Sequence, residues 1–184
     1  MGGNPSHNVV THSEWIAREH FPSMMEIAEK KFAESVEART WQQYANLQVD
    51  EAIVLAHEWA LEEPYAKNAF CLGSFLAFHK NDYNSGIKIL ENGLKAAPHD
   101  FMLQNNLCFG LLKANRVNDA EIEFARMPRA ESPVSQVIFS ATNGLLEFKR
   151  GNIELGRNLY FESVMKAKEI GDRRVFESMT SGAV

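Results

Sequence analysis

Few side chains in this sequence are equipped for chemistry, and they are scattered. The candidates are six histidines, two cysteines and two close acid pairs. His7, His12 and His20 lie near one another, but the Cys, Asp and Glu residues around them do not supply a closed tetrahedral metal set. His57, His79 and His99 fall in separate segments, where surface or packing roles are expected. Cys71 and Cys108 read as free, packed thiols, because two distant cysteines establish neither a disulfide nor a redox pair. Glu62 and Glu63 are adjacent at a helix end, and Glu121 and Glu123 share a helix surface. Neither pair has a nucleophile or second acid placed opposite it.

Phosphate-binding glycine loops, serine hydrolase elbows and zinc protease motifs are also missing. Gly73, Gly110 and Gly144 are expected to reflect close helix approach or local imperfections of the helices instead. The sequence therefore predicts no catalytic residue, no metal site and no cofactor, and hence a protein that is not an enzyme. A helical enzyme would need a closed pocket gathering titratable groups.

Composition narrows the partners. The chain has 184 residues, 45% of them apolar, which suffices for a substantial core or a short solenoid. A formal charge of -5 gives the whole molecule no strong electrostatic attraction to nucleic acid or to an anionic membrane. Met1 to Val10 reads as a loose leader. Gly2 and Ser6 fit the coarse N-myristoylation spacing, with a non-native remnant as the competing reading. No apolar run approaches membrane-spanning length, and a cytoplasmic location is expected.

The elements that must position any functional side chain are best read from Ala69 to Pro98. Phe70, Gly73, Ala77 and Phe78 form one helical stripe, Asn81-Asp82 interrupts it, and Ile87, Leu90 and Leu94 form a second stripe with Asn84 as its expected cap. A hairpin this small exposes a whole apolar face, so it predicts neighbours of its own kind. They are found by sliding the sequence along itself: blocks open at Leu47, Asn81, Asn115 and Gly151. Each has a large apolar residue at its third place (Val49, Tyr83, Val117, Ile153) and a small one three further on (Ala52, Gly86, Ala120, Gly156). Ala56, Leu90, Phe124 and Tyr160 follow a turn later. The first three blocks are spaced by 34 residues and the last by 36, a difference the loop around Ser132-Pro133 can absorb. A small residue lets the second helix approach the first, and the bulkier one beside it fills the remaining space.

Helix pairs are expected over about 35–46 with 50–62, 66–80 with 84–96, 101–114 with 118–127, and 135–149 with 152–170. Two helices within 12–33, carrying Trp15, Ile16, Met25, Ala28 and Phe32, are expected to cover one end. Residues 171–184, with Val175 and Phe176, form a second cap or a tail.

The 34-residue period, Leu107-Cys108 before Leu111, and the Ala120/Phe124 pair carry a resemblance: over about 34–170 the chain resembles a tetratricopeptide repeat (TPR) protein with four imperfect repeats. Where the family often has a large aromatic near the start of the first helix, this chain has Val36, Phe70, Gln104 and Ser140. The resemblance implies an all-α fold, a right-handed superhelical stack of antiparallel helix pairs with terminal capping helices. It also implies that first helices line a concave groove. Residues expected there are Trp41, Tyr44, Cys71, Phe75, His79, Asn105, Phe109, Leu112, Lys113, Leu145, Phe148 and Lys149. Those chosen as protein-binding are Trp41, Tyr44, Phe75, His79, Asn105, Phe109, Lys113, Phe148 and Lys149. For any one ring, packing between repeats is the competing role.

Some proteins of this family hold a partner's terminal carboxylate with a clamp of Lys and Asn residues. Here Asn106 is available, but Cys71, Phe75, Ile138 and Thr142 occupy other clamp places, so an internal, partly apolar segment is the expected ligand. The function implied is a non-catalytic scaffold that binds a protein or peptide. The alternative is a structural or self-association module, a homo-oligomer formed through a convex or terminal face.

Overall fold

The structure, a computed structural model, describes residues 35–171. The expected helices within 12–33 and, apart from Gly171, the expected cap or tail at 171–184 lie outside the described residues, as do Gly2, Ser6 and the three N-terminal histidines. The described residues form eight α-helices and no strand: α1 (Val36–Ala45), α2 (Val49–Glu62), α3 (Lys67–His79), α4 (Tyr83–Ala96), α5 (Phe101–Lys113), α6 (Val117–Ala125), α7 (Pro133–Lys149) and α8 (Ile153–Ile170). The chain divides into two compact units, Met1–Trp59 and Ala60–Val184, with the boundary inside α2.

One turn recurs four times. Leu47, Asn81, Asn115 and Gly151 all take positive φ, at 59°, 61°, 60° and 88°. Each closes its first helix by the same pair of bonds, in which its own N–H and that of the next residue return to carbonyls of the last turn. The second of these bonds runs from Gln48, Asp82, Arg116 and Asn152 to Gln43, Ala77, Leu111 and Glu147, at 2.9, 2.9, 2.8 and 2.9 Å. The carbonyl of that same residue then accepts the N–H of Ala52, Gly86, Ala120 or Gly156 and opens the next helix. Since the residue after the left-handed one begins the new helix, Asp82 and not Asn84 caps α4, its carboxylate accepting the Ser85 N–H at 3.1 Å. Asparagine and glycine tolerate the left-handed region, whereas leucine at position 47 is strained there by about 1–2 kcal/mol.

The other caps are individual. Ser35 opens α1 by accepting the Ala38 N–H, and Asp100 opens α5 by accepting from Met102 and Leu103. At α7, Ser132 and Ser135 exchange bonds in a capping box with Pro133 as the first helical residue, so this helix starts earlier than the expected Ser135.

In the Met1–Trp59 unit, α1 buries Val36 and Thr40, and α2 buries Ala52, Leu55, Ala56 and Trp59. In the Ala60–Val184 unit, consecutive helices from α3 to α8 pack on one another, and the first helices α3, α5 and α7 also pack in sequence, α3 on α5 and α5 on α7. The core of this unit is built on Phe70, Ile87, Leu90, Leu103, Leu107 and Leu146. Full burial of Leu90 and Leu103 contributes about 2 kcal/mol each relative to exposure. A smaller cluster of Val137, Ala141, Val164 and Ala167 joins α7 to α8.

The small residues of the repeat blocks sit at the tightest crossings. A Cβ on Gly86 would overlap the Phe78 ring, and one on Gly110 would fall 2.5 Å from the same ring. Gly144 and Gly156 face each other across α7 and α8, where a Cβ on Gly156 would lie 2.8 Å from the Gly144 carbonyl oxygen. These contacts account for Gly110 and Gly144 by close approach; Gly73 is buried in α3.

Candidate protein-binding face

The candidate face is built from the C-terminal halves of α3, α5 and α7, within the Ala60–Val184 unit. Counting back from each left-handed turn residue, Phe75, Phe109 and Leu145 occupy the same place, six residues earlier, and His79, Lys113 and Lys149 stand two residues earlier. The four-residue step between the two rows puts both on one side of each helix. Phe75 is 49% and Phe109 38% exposed, Leu145 is half-buried, and all three basic residues are exposed.

Lateral contacts hold the three helices in register. The Cys71 thiol lies beside Asn106 between α3 and α5. Phe109 leans on Phe78 with ring centroids 6.0 Å apart. Between α5 and α7, the Thr142 hydroxyl donates to Asn105 Oδ1 at 2.7 Å, and Lys149 Nζ reaches Asn115 Oδ1 at 3.4 Å. His79 stacks along Phe75 at 6.2 Å, nearly parallel to it.

Some residues expected in the groove are turned inward. Asn105 is 6% exposed and serves the buried bond to Thr142, and Leu112 is only 1% exposed, within the core. Phe148 is half-buried at the α7–α8 crossing, its ring 2.9 Å from where a Gly156 Cβ would stand. Cys71 is half-buried at the α3–α5 seam. Trp41 and Tyr44 belong to the other unit, where both are exposed and meet edge to face at 6.0 Å. The sequence reading missed the bond of Thr142. It is a polar residue within a helix rich in apolar ones, but its partner lies on a neighbouring helix.

The ionisable groups are engaged structurally. Burial pushes the Cys71 thiol up to about 11, with the nearby Asp100 carboxylate adding to it, and burial pushes Cys108 up to about 12. Both are thus protonated and unreactive near neutral pH. Glu147 is buried in the last turn of α7, where Asn152 Nδ2 donates to it at 2.6 Å and Arg150 Nη1 at 2.8 Å. These donors hold its carboxyl below the ordinary glutamate value, and Arg150 is in turn held charged by Glu121 and Glu147. Glu123 receives Gln104 Nε2 at 2.6 Å and Arg126 Nη1 at 2.9 Å. Gln104 is therefore satisfied in its buried position.

Among the described residues, no group of three His, Cys, Asp or Glu side chains is placed to hold a metal ion, and no helix is long and apolar enough to cross a membrane. A shallow recess of about 550 Å³ lies at the start of α8; of its described lining residues, Gly151 to Leu155, only Glu154 is ionisable. What the face offers chemically is apolar contact flanked by cations. Compared with protein-family models, curated proteins and solved structures, the chain matches none.

Proposed function

We propose that the chain is a TPR-like scaffold without catalytic activity, a right-handed superhelical stack whose first helices bind a segment of a partner protein. The observation that carries this reading is the coincidence of exposure and register. Phe75, Phe109 and Leu145 repeat at one place on three successively packed helices, two of them as substantially exposed rings. An aromatic row held on a rigid helical frame is suited to desolvate the apolar side chains of a bound peptide. The buried Asn105–Thr142 bond and the glycine crossings supply the rigidity.

The test is selection of binders from a displayed library of random peptides on the full chain, followed by affinity measurements on Phe75→Ala and Phe75→Ala/Phe109→Ala variants of confirmed helicity. Binding should fall about tenfold or more for the double variant, as expected for loss of two aromatic anchors. Unchanged affinity in a folded double variant removes these residues from recognition.

A second reading, self-association through a terminal face, draws support from α8. This helix exposes Phe161 at 63% together with Leu155, Met165 and Ile170. Sedimentation of the wild type against Phe161→Glu distinguishes the two: a dimer dissociated by that substitution favours the terminal face.

A further inference from the structure

Resting on the peptide-binding reading above, we infer that the segment this face receives is acidic as well as apolar, an internal stretch in which carboxylates stand beside regularly spaced Leu- or Phe-like side chains. The basis is how charge divides between the two sets of helices in the Ala60–Val184 unit. The second helices α4, α6 and α8 carry seven carboxylates: Glu91, Asp119, Glu121, Glu123, Glu154, Glu162 and Glu169. The first helices α3 and α5 carry none, and α7 carries only Glu147. That one is buried and already engaged by Arg150 and Asn152, away from the face.

Toward solvent the first helices carry Lys67, which is paired with Asp100 at 3.3 Å, and His79, Lys113 and Lys149, one helical turn beyond the apolar row. Lys113 has no carboxylate partner among the described residues, and the bond of Lys149 is to the neutral Asn115. A cation in the last turn of a helix is favourable to that helix's dipole, which accounts for each residue taken singly. It does not account for the exclusion of carboxylates from the rest of these helices in a chain whose net charge is -5. A face without acids, bordered by unneutralised lysines on an acidic protein, is complementary to a negatively charged ligand.

Spacing adds a constraint. Packed helices lie about 8–10 Å apart, close to the ~9 Å advance of three residues in an extended left-handed segment. A ligand crossing the first helices would then present an apolar residue at every third position with a carboxylate beside it. Single-stranded nucleic acid also combines stacking with anionic groups, but the overall acidity of the chain opposes a polyanion of that charge density.

The experiment uses the full chain, a displayed library of random 12-residue peptides with blocked C-termini, and an oligouridylate competitor, each against wild type, Lys113→Glu/Lys149→Glu and Phe75→Ser. Both lysines are exposed, so the charge reversal should keep the fold at a small cost to the dipole of each helix, and circular dichroism checks that it does. Wild-type binders are expected to be enriched in Asp and Glu next to Leu or Phe, and to lose about tenfold in affinity on charge reversal or on raising salt. The same selection on the reversed variant should enrich Lys and Arg. Neutral or basic binders that still depend on Phe75 would overturn the acidic inference and leave the groove reading standing. Binders indifferent to Phe75→Ser, or no binders, would remove the groove reading itself. Displacement by the oligouridylate would reassign the cations to phosphate, and a dimer dissociated by the charge reversal would reassign the face to a second copy of this chain. Either outcome overturns the proposal.

Discussion

Around Phe78 the glycines make room for a ring, whereas between α7 and α8 they let two backbones meet. Gly86 on α4 and Gly110 on α5 form the two walls of a socket that the Phe78 ring fills, so the neighbour of each missing Cβ is a side chain. At the α7–α8 crossing the neighbours are mostly main chain: the carbonyl of Gly144 and the N–H of Phe148 for Gly156, the carbonyl of Gly156 and the N–H of Tyr160 for Gly144. A ring can be exchanged for something smaller, but a carbonyl cannot. The first seam is therefore adjustable by substitution at its partner, and the second fixes how closely the two helices lie.

The largest effect is expected from Gly156→Ala. Its Cβ would stand 2.8 Å from a carbonyl oxygen and 2.9 Å from a backbone nitrogen, which requires the helices to separate. Overpacking of this kind costs up to about 3 kcal/mol or more, partly offset by about 1 kcal/mol of helix propensity. A net loss of about 2 kcal/mol in urea unfolding is the expected outcome, and Phe148→Leu should not restore it. Full rescue by Phe148→Leu would mean that the ring, not the main chain, closes this seam.

Gly110→Ala should cost less, about 1–2 kcal/mol, because the Phe78 ring can shift or shrink. Combined with Phe78→Leu, the loss should fall short of the sum of the single losses by about 0.5 kcal/mol or more in a double-mutant cycle. Strict additivity would erase the distinction between the two seams.

The left-handed turns separate conformation from contact. A Cβ at Gly151 would meet nothing within 4 Å, so this glycine answers only to its φ of 88°. Gly151→Leu should destabilise by about 1–2 kcal/mol through the backbone alone, and Leu47→Gly should stabilise by up to about 1 kcal/mol, since the exposed Leu47 side chain loses little packing. Thermal melts of both variants measure the pair. A Leu47→Gly melt below that of the wild type would show that the side chain outweighs the strain.

Acid titration gives the smallest expected effect. The Glu147 carboxyl is held below its ordinary value first by Asn152 and then by Arg150, so the unfolded chain binds the proton more readily than the folded one. Its contribution is complete above the unfolded value, near 4.5, and is lost as pH falls through the lower folded value. Glu147→Gln should lower stability at neutral pH and flatten the loss as pH falls below about 4.5. A variant with an unaltered slope would show that the bonds to this carboxylate add no net stability.

Much of the fold is legible in the chain because its signals are local. Asn81, Asn115 and Gly151 announce left-handed turns by residue type, and the small residue five positions later announces close approach. Leu47 takes the same turn without such a signal, and only the register of the other three reveals it. The site was less legible. Asn105 and Phe109 lie one turn apart on α5, yet Phe109 is exposed while Asn105 is covered by Thr142, 37 residues further along the chain. Helical periodicity gives the direction of a side chain but does not say whether a neighbour occupies that direction.

By itself the sequence determined the helices, the turn that recurs between first and second helices, and the apolar and basic rows, since these follow from backbone preference and from spacing within about a dozen residues. Only the tertiary structure decided which polar groups became internal ties, which ring the glycines enclose, and which side chains of the first helices are buried. Those outcomes depend on volume and hydrogen-bonding partners brought from other helices, and in a close-packed interior a side chain's role is set by what already fills the space beside it.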